Sequence, residues 1–388
     1  MLLELPAIAG VAAALVSAML IAFITTPVVK SLAERVGAVD VPKDGRRMHD
    51  HPIPRMGGLA IFLGFLLSAL VFVPLSQSMR GMLLGAILIV ILGIFDDIYA
   101  LPALPKLLIQ IGAALIAVLH GNDIQVISNP NIFSENPYWV LGGWAIPVTV
   151  IWIVAITNAV NLIDGLDGLA VGVATISSLS MLVIAMLVSE NVVALTTAAL
   201  AGGCIGFMPY NHNPAKIFMG DTGSTFLGFV LATVSIQGLF KFYTIISFAV
   251  PFLMLGLPLF DTCFAIIRRL SKGQNPMSPD RSHVHHRLID MGFNQKQAVG
   301  ILYVISAILG LSAVVLTTSG ALKAMMLLCA LCLAGFIAYR VSIGHNEHSE
   351  KKEETDHASE SDDDLRDPPG GGENGAFGEG AGRQASDR

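Results

Sequence analysis

The sequence predicts an all-α, polytopic integral membrane protein with about eleven transmembrane helices, its N-terminus outside and its C-terminus in the cytoplasm. Three observations carry this expectation. Of the 388 residues, 54% are hydrophobic and 13% charged, and the mean hydropathy is +0.68, more apolar surface than a water-exposed domain can cover. Apolar stretches close to the ~20 residues that cross a bilayer as a helix recur throughout. They lie at roughly 5–29, 57–75, 79–95, 104–120, 139–157, 168–188, 191–208, 222–239, 243–267, 298–317 and 321–340. Basic residues are distributed on one side: Lys30, Arg35, Lys43, Arg46, Arg47 and Arg55 follow the first stretch, and Arg268, Arg269, Lys272, Arg281, Arg287 and Lys296 follow the ninth. Lys106 and Lys216 fall on the same side, against Arg80, Lys241 and Lys323 opposite. The positive-inside rule then sets the orientation.

Residues 1–344 are expected to form one membrane domain. From His345 onward Glu, Asp, Lys, Ser and His dominate, followed by a Gly-rich end. Residues 345–388 therefore read as a disordered acidic and Gly-rich cytoplasmic tail. Much of the net charge of −6 comes from this tail, and no nucleic-acid partner is expected. Cys204, Cys263, Cys329 and Cys332 all fall within apolar stretches, where thiols pack as small apolar groups and no disulfide framework is expected. There is no Walker loop and no dinucleotide-binding glycine pattern.

The polar motifs, taken in order, all fall on the cytoplasmic side of this topology. The loop after the first stretch holds Gly45-Arg46-Arg47-Met48-His49 and Pro52-Ile53-Pro54-Arg55-Met56-Gly57-Gly58. Guanidinium groups suit phosphate oxygens, so Arg46, Arg47, His49 and Arg55 are candidate phosphate contacts, a basic stop-transfer loop being the alternative. Asp96 and Asp97 end the third stretch; adjacent carboxylates there repel and need a cation or a protonated neighbour. Between the fifth and sixth stretches lies Asn158-Ala159-Val160-Asn161-Leu162-Ile163-Asp164-Gly165-Leu166-Asp167-Gly168. A row at every third residue rotates by about 60° per step on a straight helix, so Gly165 and Gly168 are read as opening the helix and letting the polar groups converge.

Asp221 in Phe218-Met219-Gly220-Asp221-Thr222-Gly223 stands where a loop enters the eighth stretch, as a helix cap or a metal ligand. Five carboxylates on one membrane face favour a divalent cation, and all-oxygen ligation beside phosphate favours Mg²⁺, with Mn²⁺ possible. The loop after the ninth stretch carries Asp280-Arg281-Ser282-His283-Val284-His285-His286-Arg287. Interleaved Arg281 and Arg287 favour an anion clamp there over a zinc site.

As a set these motifs resemble the polyprenyl-phosphate N-acetylhexosamine-1-phosphate transferases. The His-x-His-His form resembles the GlcNAc-1-phosphate branch, whereas the phospho-MurNAc-pentapeptide transferases, the alternative, carry three adjacent histidines. The resemblance implies transfer of GlcNAc-1-phosphate from UDP-GlcNAc to undecaprenyl phosphate in the lipid bilayer of the plasma or inner membrane, with release of UMP. It implies Asn161 and Asp221 as Mg²⁺ ligands, and Asp164, Asp167, Asn211 and Phe218 as the nucleoside pocket. Asp96 and Asp97 would orient or deprotonate the lipid phosphate, and Arg281, His283, His285 and His286 would hold phosphates or the sugar. A homodimer is also compatible with it. The rival of another class is a cation- or proton-coupled secondary transporter, which predicts ionisable groups near mid-membrane on several spans.

Overall fold

The computed structural model describes residues 5–42, 51–128, 136, 138–238, 245–271, 273 and 283–317. Arg47, His49, Arg281, the stretch at 321–340 and the tail at 345–388 lie outside the described residues. Twelve α-helices occur among those described: α1 (Leu5–Val36), α2 (Gly58–Phe72), α3 (Gln77–Tyr99), α4 (Ala103–Leu119), α5 (Ala145–Leu162), α6 (Leu169–Leu187), α7 (Asn191–Asn211), α8 (Gly220–Gly238), α9 (Ile245–Met254), α10 (Gly256–Ser271), α11 (Val284–Asp290) and α12 (Gln295–Thr317). Six are long and apolar enough to cross a membrane, namely α1, α3, α5 with its preceding turn, α6, α7 and α12. Helices α2 and α4 are shorter and apolar.

Helix α8 is at the centre, packed mainly against α3 and α5 and also against α2 and α6. From Thr222 to Gly238 it is buried throughout. A helix shielded from lipid by its neighbours can be rich in Gly, Ser and Thr, residues that also let helix backbones approach closely.

Three expected boundaries change. Helix α1 runs on to Val36 and stops only where Gly37 takes φ +76°, the left-handed conformation that ends helices at glycine. Helix α5 begins at Ala145, not at Trp139. Tyr138–Val140 instead forms strand β4, paired antiparallel with β3 (Val126–Ser128) in the hairpin region between α4 and α5. The ninth stretch is two helices, α9 and α10, broken at Leu255. Pro258 has no N–H to give the Met254 carbonyl four residues earlier. The Ser177 hydroxyl of α6 donates to that carbonyl at 2.7 Å, satisfying a group that lipid could not. Cys204 and Cys263 are free thiols.

Candidate active site

The site is built at the N-terminus of α8. Gly220 takes φ +72°, and a side chain there would strike the Asp97 carboxylate. Gly93 on α3 brings that helix directly onto Thr222. This close approach lets Asp97 cap α8 from another helix. Its Oδ1 accepts from the Asp221 N–H at 2.9 Å, and its Oδ2 from the Thr222 N–H at 3.1 Å and the Thr222 hydroxyl at 2.6 Å. These are donors a helix start leaves without intrahelical partners.

Arg55 lies on the other side of Asp97, with Nε and Nη2 each 3.1 Å from Oδ1. Its backbone is fixed by a short pairing of β1 (Val39–Asp40) with β2 (Ile53–Pro54) and by a parallel bridge to Phe218. Burial works to lower the Arg55 pKa, but Asp97 and Asp221 outweigh it and raise it above the ordinary value.

Asp96, though adjacent in sequence, has separate partners. It accepts from Lys106 Nζ at 2.8 Å and from the Leu101 N–H at 2.7 Å. The mutual repulsion expected of Asp96 and Asp97 is thus relieved by two different cations. Asp221 lies between them: Lys106 Nζ is 3.3 Å from its Oδ2 and Arg55 Nη2 3.9 Å from its Oδ1. The Asn161 amide donates to Asp221 Oδ1 at 3.2 Å and to the Ser224 hydroxyl at 2.8 Å. Asn158 does not reach Asp221; its amide donates to Gln110 at 2.7 Å and back to the Val154 carbonyl.

Two cavities meet at Asp221. The larger, about 280 Å³, has Arg55, Asp164, Asp167, Phe218, Asp221 and His286 on its walls, together with Asn211 and Gln295. The smaller, about 20 Å³, is lined by Asp96, Lys106, Gln110, Asn158, Asn161 and Asp221 among others. Several wall residues also hold the backbone around the larger cavity. Asp167 Oδ2 accepts from the Asn213 amide at 2.9 Å and the Ala215 N–H at 3.0 Å. Asn211 ties the Gly168 N–H to the Ile217 carbonyl.

Asp164 lies in the turn between α5 and α6. Burial, then the charges of Asp221 and Asp97, push its pKa up to about 8. An unfolded Asp titrates near ~3.9. The folded chain therefore has stability that is fully present below about 4 and is lost as pH rises through about 8. Asp164→Asn removes that loss. Its unfolding temperature in detergent without divalent cations should exceed the parent's more at pH 9 than at pH 5; an equal difference at both pH values would contradict the assignment.

The histidines separate by position. His283 and His285 are buried, and His283 Nδ1 lies 2.8 Å from Asp261 Oδ2 on α10. His285 packs against Gly165, where a side chain would run into its ring. Burial, then the neighbouring His286, lower its pKa to about 4, so it is neutral at pH 7. His286 is the one of the three on the wall of the larger cavity. Sequence reasoning counted Lys106 only towards topology, and Asp261 in the ninth stretch was not among its site residues. Gln295 carried no signal.

Among the described residues no three His, Cys, Asp or Glu side chains converge as a metal site, so the five aspartates do not form one carboxylate cage. Asp97 is spent on α8 and Arg55. Asp221, on the walls of both cavities, and Asn161 beside it could offer a carboxylate and, after rotation of the amide, a carbonyl oxygen to a cation. Two protein oxygens suit Mg²⁺, which retains waters and takes further ligands from phosphates.

The chain is similar in sequence to known transferases. A sequence profile described as Glycosyl transferase family 4 matches residues 79–239. A probable undecaprenyl-phosphate N-acetylglucosaminyl 1-phosphate transferase of Bacillus subtilis is 43% identical over 307 residues, 79% of this chain and 85% of the relative. A decaprenyl-phosphate N-acetylglucosaminephosphotransferase of Mycolicibacterium smegmatis is 34% identical, covering 76% of this chain and 80% of the relative. An undecaprenyl-phosphate alpha-N-acetylglucosaminyl 1-phosphate transferase of Thermotoga maritima is 33% identical, covering 69% and 78%. The chain therefore belongs to glycosyl transferase family 4, and within it to the branch of the undecaprenyl-phosphate N-acetylglucosaminyl 1-phosphate transferases.

Proposed function

We propose that this protein transfers GlcNAc-1-phosphate from UDP-GlcNAc to undecaprenyl phosphate, giving undecaprenyl-diphospho-GlcNAc and UMP. The observation that carries the reading is Asp221 standing on the walls of both cavities. One cavity, bounded by Asp164, Asp167, Asn211 and Phe218, suits the uridine end of the donor. The other, with Asp96 and Lys106, suits the acceptor phosphate. An oxygen of the lipid phosphate attacks the sugar-side phosphorus, a new P–O bond forms, and the pyrophosphate bond to UMP breaks. A phosphomonoester with a second pKa near ~6 is mostly dianionic at pH 7, so no strong base is required. The residues act by positioning and charge.

Arg55 and Lys106 are each already balanced by a carboxylate, so bringing two phosphate substrates together calls for further positive charge. Asp221 and Asn161 would hold Mg²⁺, or Mn²⁺ in its place. When bound, the cation would draw negative charge from the phosphate oxygens at the bond being exchanged. We place the site at the cytoplasmic face of the plasma or inner membrane, with eleven spans and the N-terminus outside. The product would be the first lipid-linked intermediate of a cell-envelope glycopolymer such as a teichoic acid or an O-antigen. The relatives at 43% and 33% identity carry GlcNAc in their names, which favours UDP-GlcNAc over the MurNAc-pentapeptide nucleotide. Convergence of the ionisable groups at the α8 N-terminus is not the mid-membrane spread a transporter needs.

The test is UMP release by purified protein with undecaprenyl phosphate, Mg²⁺ and, separately, UDP-GlcNAc, UDP-GalNAc or UDP-MurNAc-pentapeptide. UDP-GlcNAc is expected to be the preferred donor, with activity abolished by EDTA and restored by Mg²⁺ or Mn²⁺. No UMP from any of the three would overturn the reaction, and full activity in EDTA would overturn the cation.

A further inference from the structure

The Asp261–His283 pair is outside the chemistry assigned above. Asp261 lies on α10, the second half of the broken helix, on a buried face with Ala265 and Arg269, while Phe260, Phe264 and Ile267 are exposed on the same helix. Both of its carboxylate oxygens are committed to the histidine segment. Oδ2 pairs with His283 Nδ1 at 2.8 Å, and Oδ1 accepts from the Val284 N–H at 2.9 Å, the first backbone donor of α11. From there the contacts run in one direction. The His283 ring lies parallel to that of His285, with centroids 5.8 Å apart. His285 rests on Gly165 in the turn that carries Asp164 and Asp167, and His286 reaches the wall of the larger cavity.

We infer that Asp261 is the positioning residue of the His-x-His-His segment: from α10 it fixes His283 and the start of α11, and thereby sets where His286 meets the nucleotide cavity. A carboxylate can only accept, so it keeps the His283 proton on Nδ1. In the same geometry an amide can donate to that nitrogen and stabilise the opposite tautomer. Asp261→Asn therefore changes the tautomer and the charge with little change of volume, and it still offers an acceptor to Val284. A buried residue that merely fills space would tolerate this exchange.

The inference rests on the proposed reaction for one readout and is independent of it for the other. In steady-state UMP release from UDP-GlcNAc, Asp261→Asn is expected to lower kcat/KM about 10- to 100-fold, as removal of a carboxylate that orients a functional histidine does. Because His286 lines the nucleotide cavity, the loss should appear mainly as a raised KM for UDP-GlcNAc. His283→Gln should cost a similar amount, and the double variant no more than the worse single, since the two act as one unit. Additive losses, or an unaffected Asp261→Asn, would overturn the inference. Independently, hydrogen exchange of the full-length protein should show amides at 284–288 exchanging faster in Asp261→Ala, with α8 unchanged. Unchanged exchange at 284–288 would also overturn the positioning role. A parent protein that releases no UMP, but whose 284–288 amides respond in this way, would refute the reaction and leave the positioning role standing.

Discussion

Asp97→Ala should cost the protein much of its stability, with loss of activity following from unfolding. Asp97 is fully enclosed and accepts from two backbone N–H groups and a hydroxyl at the start of α8, as well as from Arg55. Removing it leaves those donors without an acceptor and a partly buried guanidinium without its closest counter-charge. Breaking a buried pair costs roughly 3–5 kcal/mol, and loss of a helix cap roughly 1 more. The neighbouring Asp96→Asn retains an acceptor for the Leu101 N–H and leaves Lys106 beside Asp221, so its stability cost should be about 1 kcal/mol. Thermal unfolding of both variants in one detergent checks this. Equal loss of stability would contradict the division of the pair into a scaffold aspartate and a cavity aspartate.

Asp221→Asn should do the reverse, abolishing UMP release while leaving the fold and membrane insertion intact. The Asp221 carboxylate is 23% exposed, and the two cations near it each have a second carboxylate, Asp97 for Arg55 and Asp96 for Lys106. Neutralising Asp221 thus strands no buried charge. Its backbone N–H remains capped by Asp97. If it holds the cation between the two cavities, activity should fall at least ~10³-fold, the scale of losing a main electrostatic contributor. A variant retaining more than a tenth of the parent activity would remove Asp221 from the reaction.

The contrast between these two aspartates shows what the sequence could and could not reveal. Apolar runs of membrane length located most of the helices, because a bilayer permits few other solutions, and Gly220-Asp221 at a loop-to-helix transition marked the α8 terminus correctly. The break at Leu255 was legible in Gly256 and Pro258, but its compensation by Ser177, far away in the chain, was not. Adjacent Asp96 and Asp97 looked equivalent because their difference depends on which helix each one meets. Gly93 brings α3 against Thr222, and only the second carboxylate then accepts from the N–H groups at the start of α8. Likewise, three histidines in four positions gave no sign that two would be buried and one would face the cavity; that depends on Asp261 and on the space above Gly165.

The enclosure of α8 from Thr222 to Gly238 also bears on how the protein is made. Its Gly-, Ser- and Thr-rich sequence gives it little reason to settle in lipid alone, and the helices that surround it, α2, α3, α5 and α6, all precede it in the chain. Synthesis from the N-terminus therefore delivers all four of these helices before α8. Because Asp97 on α3 accepts from the first N–H groups of α8, docking this helix also assembles the site.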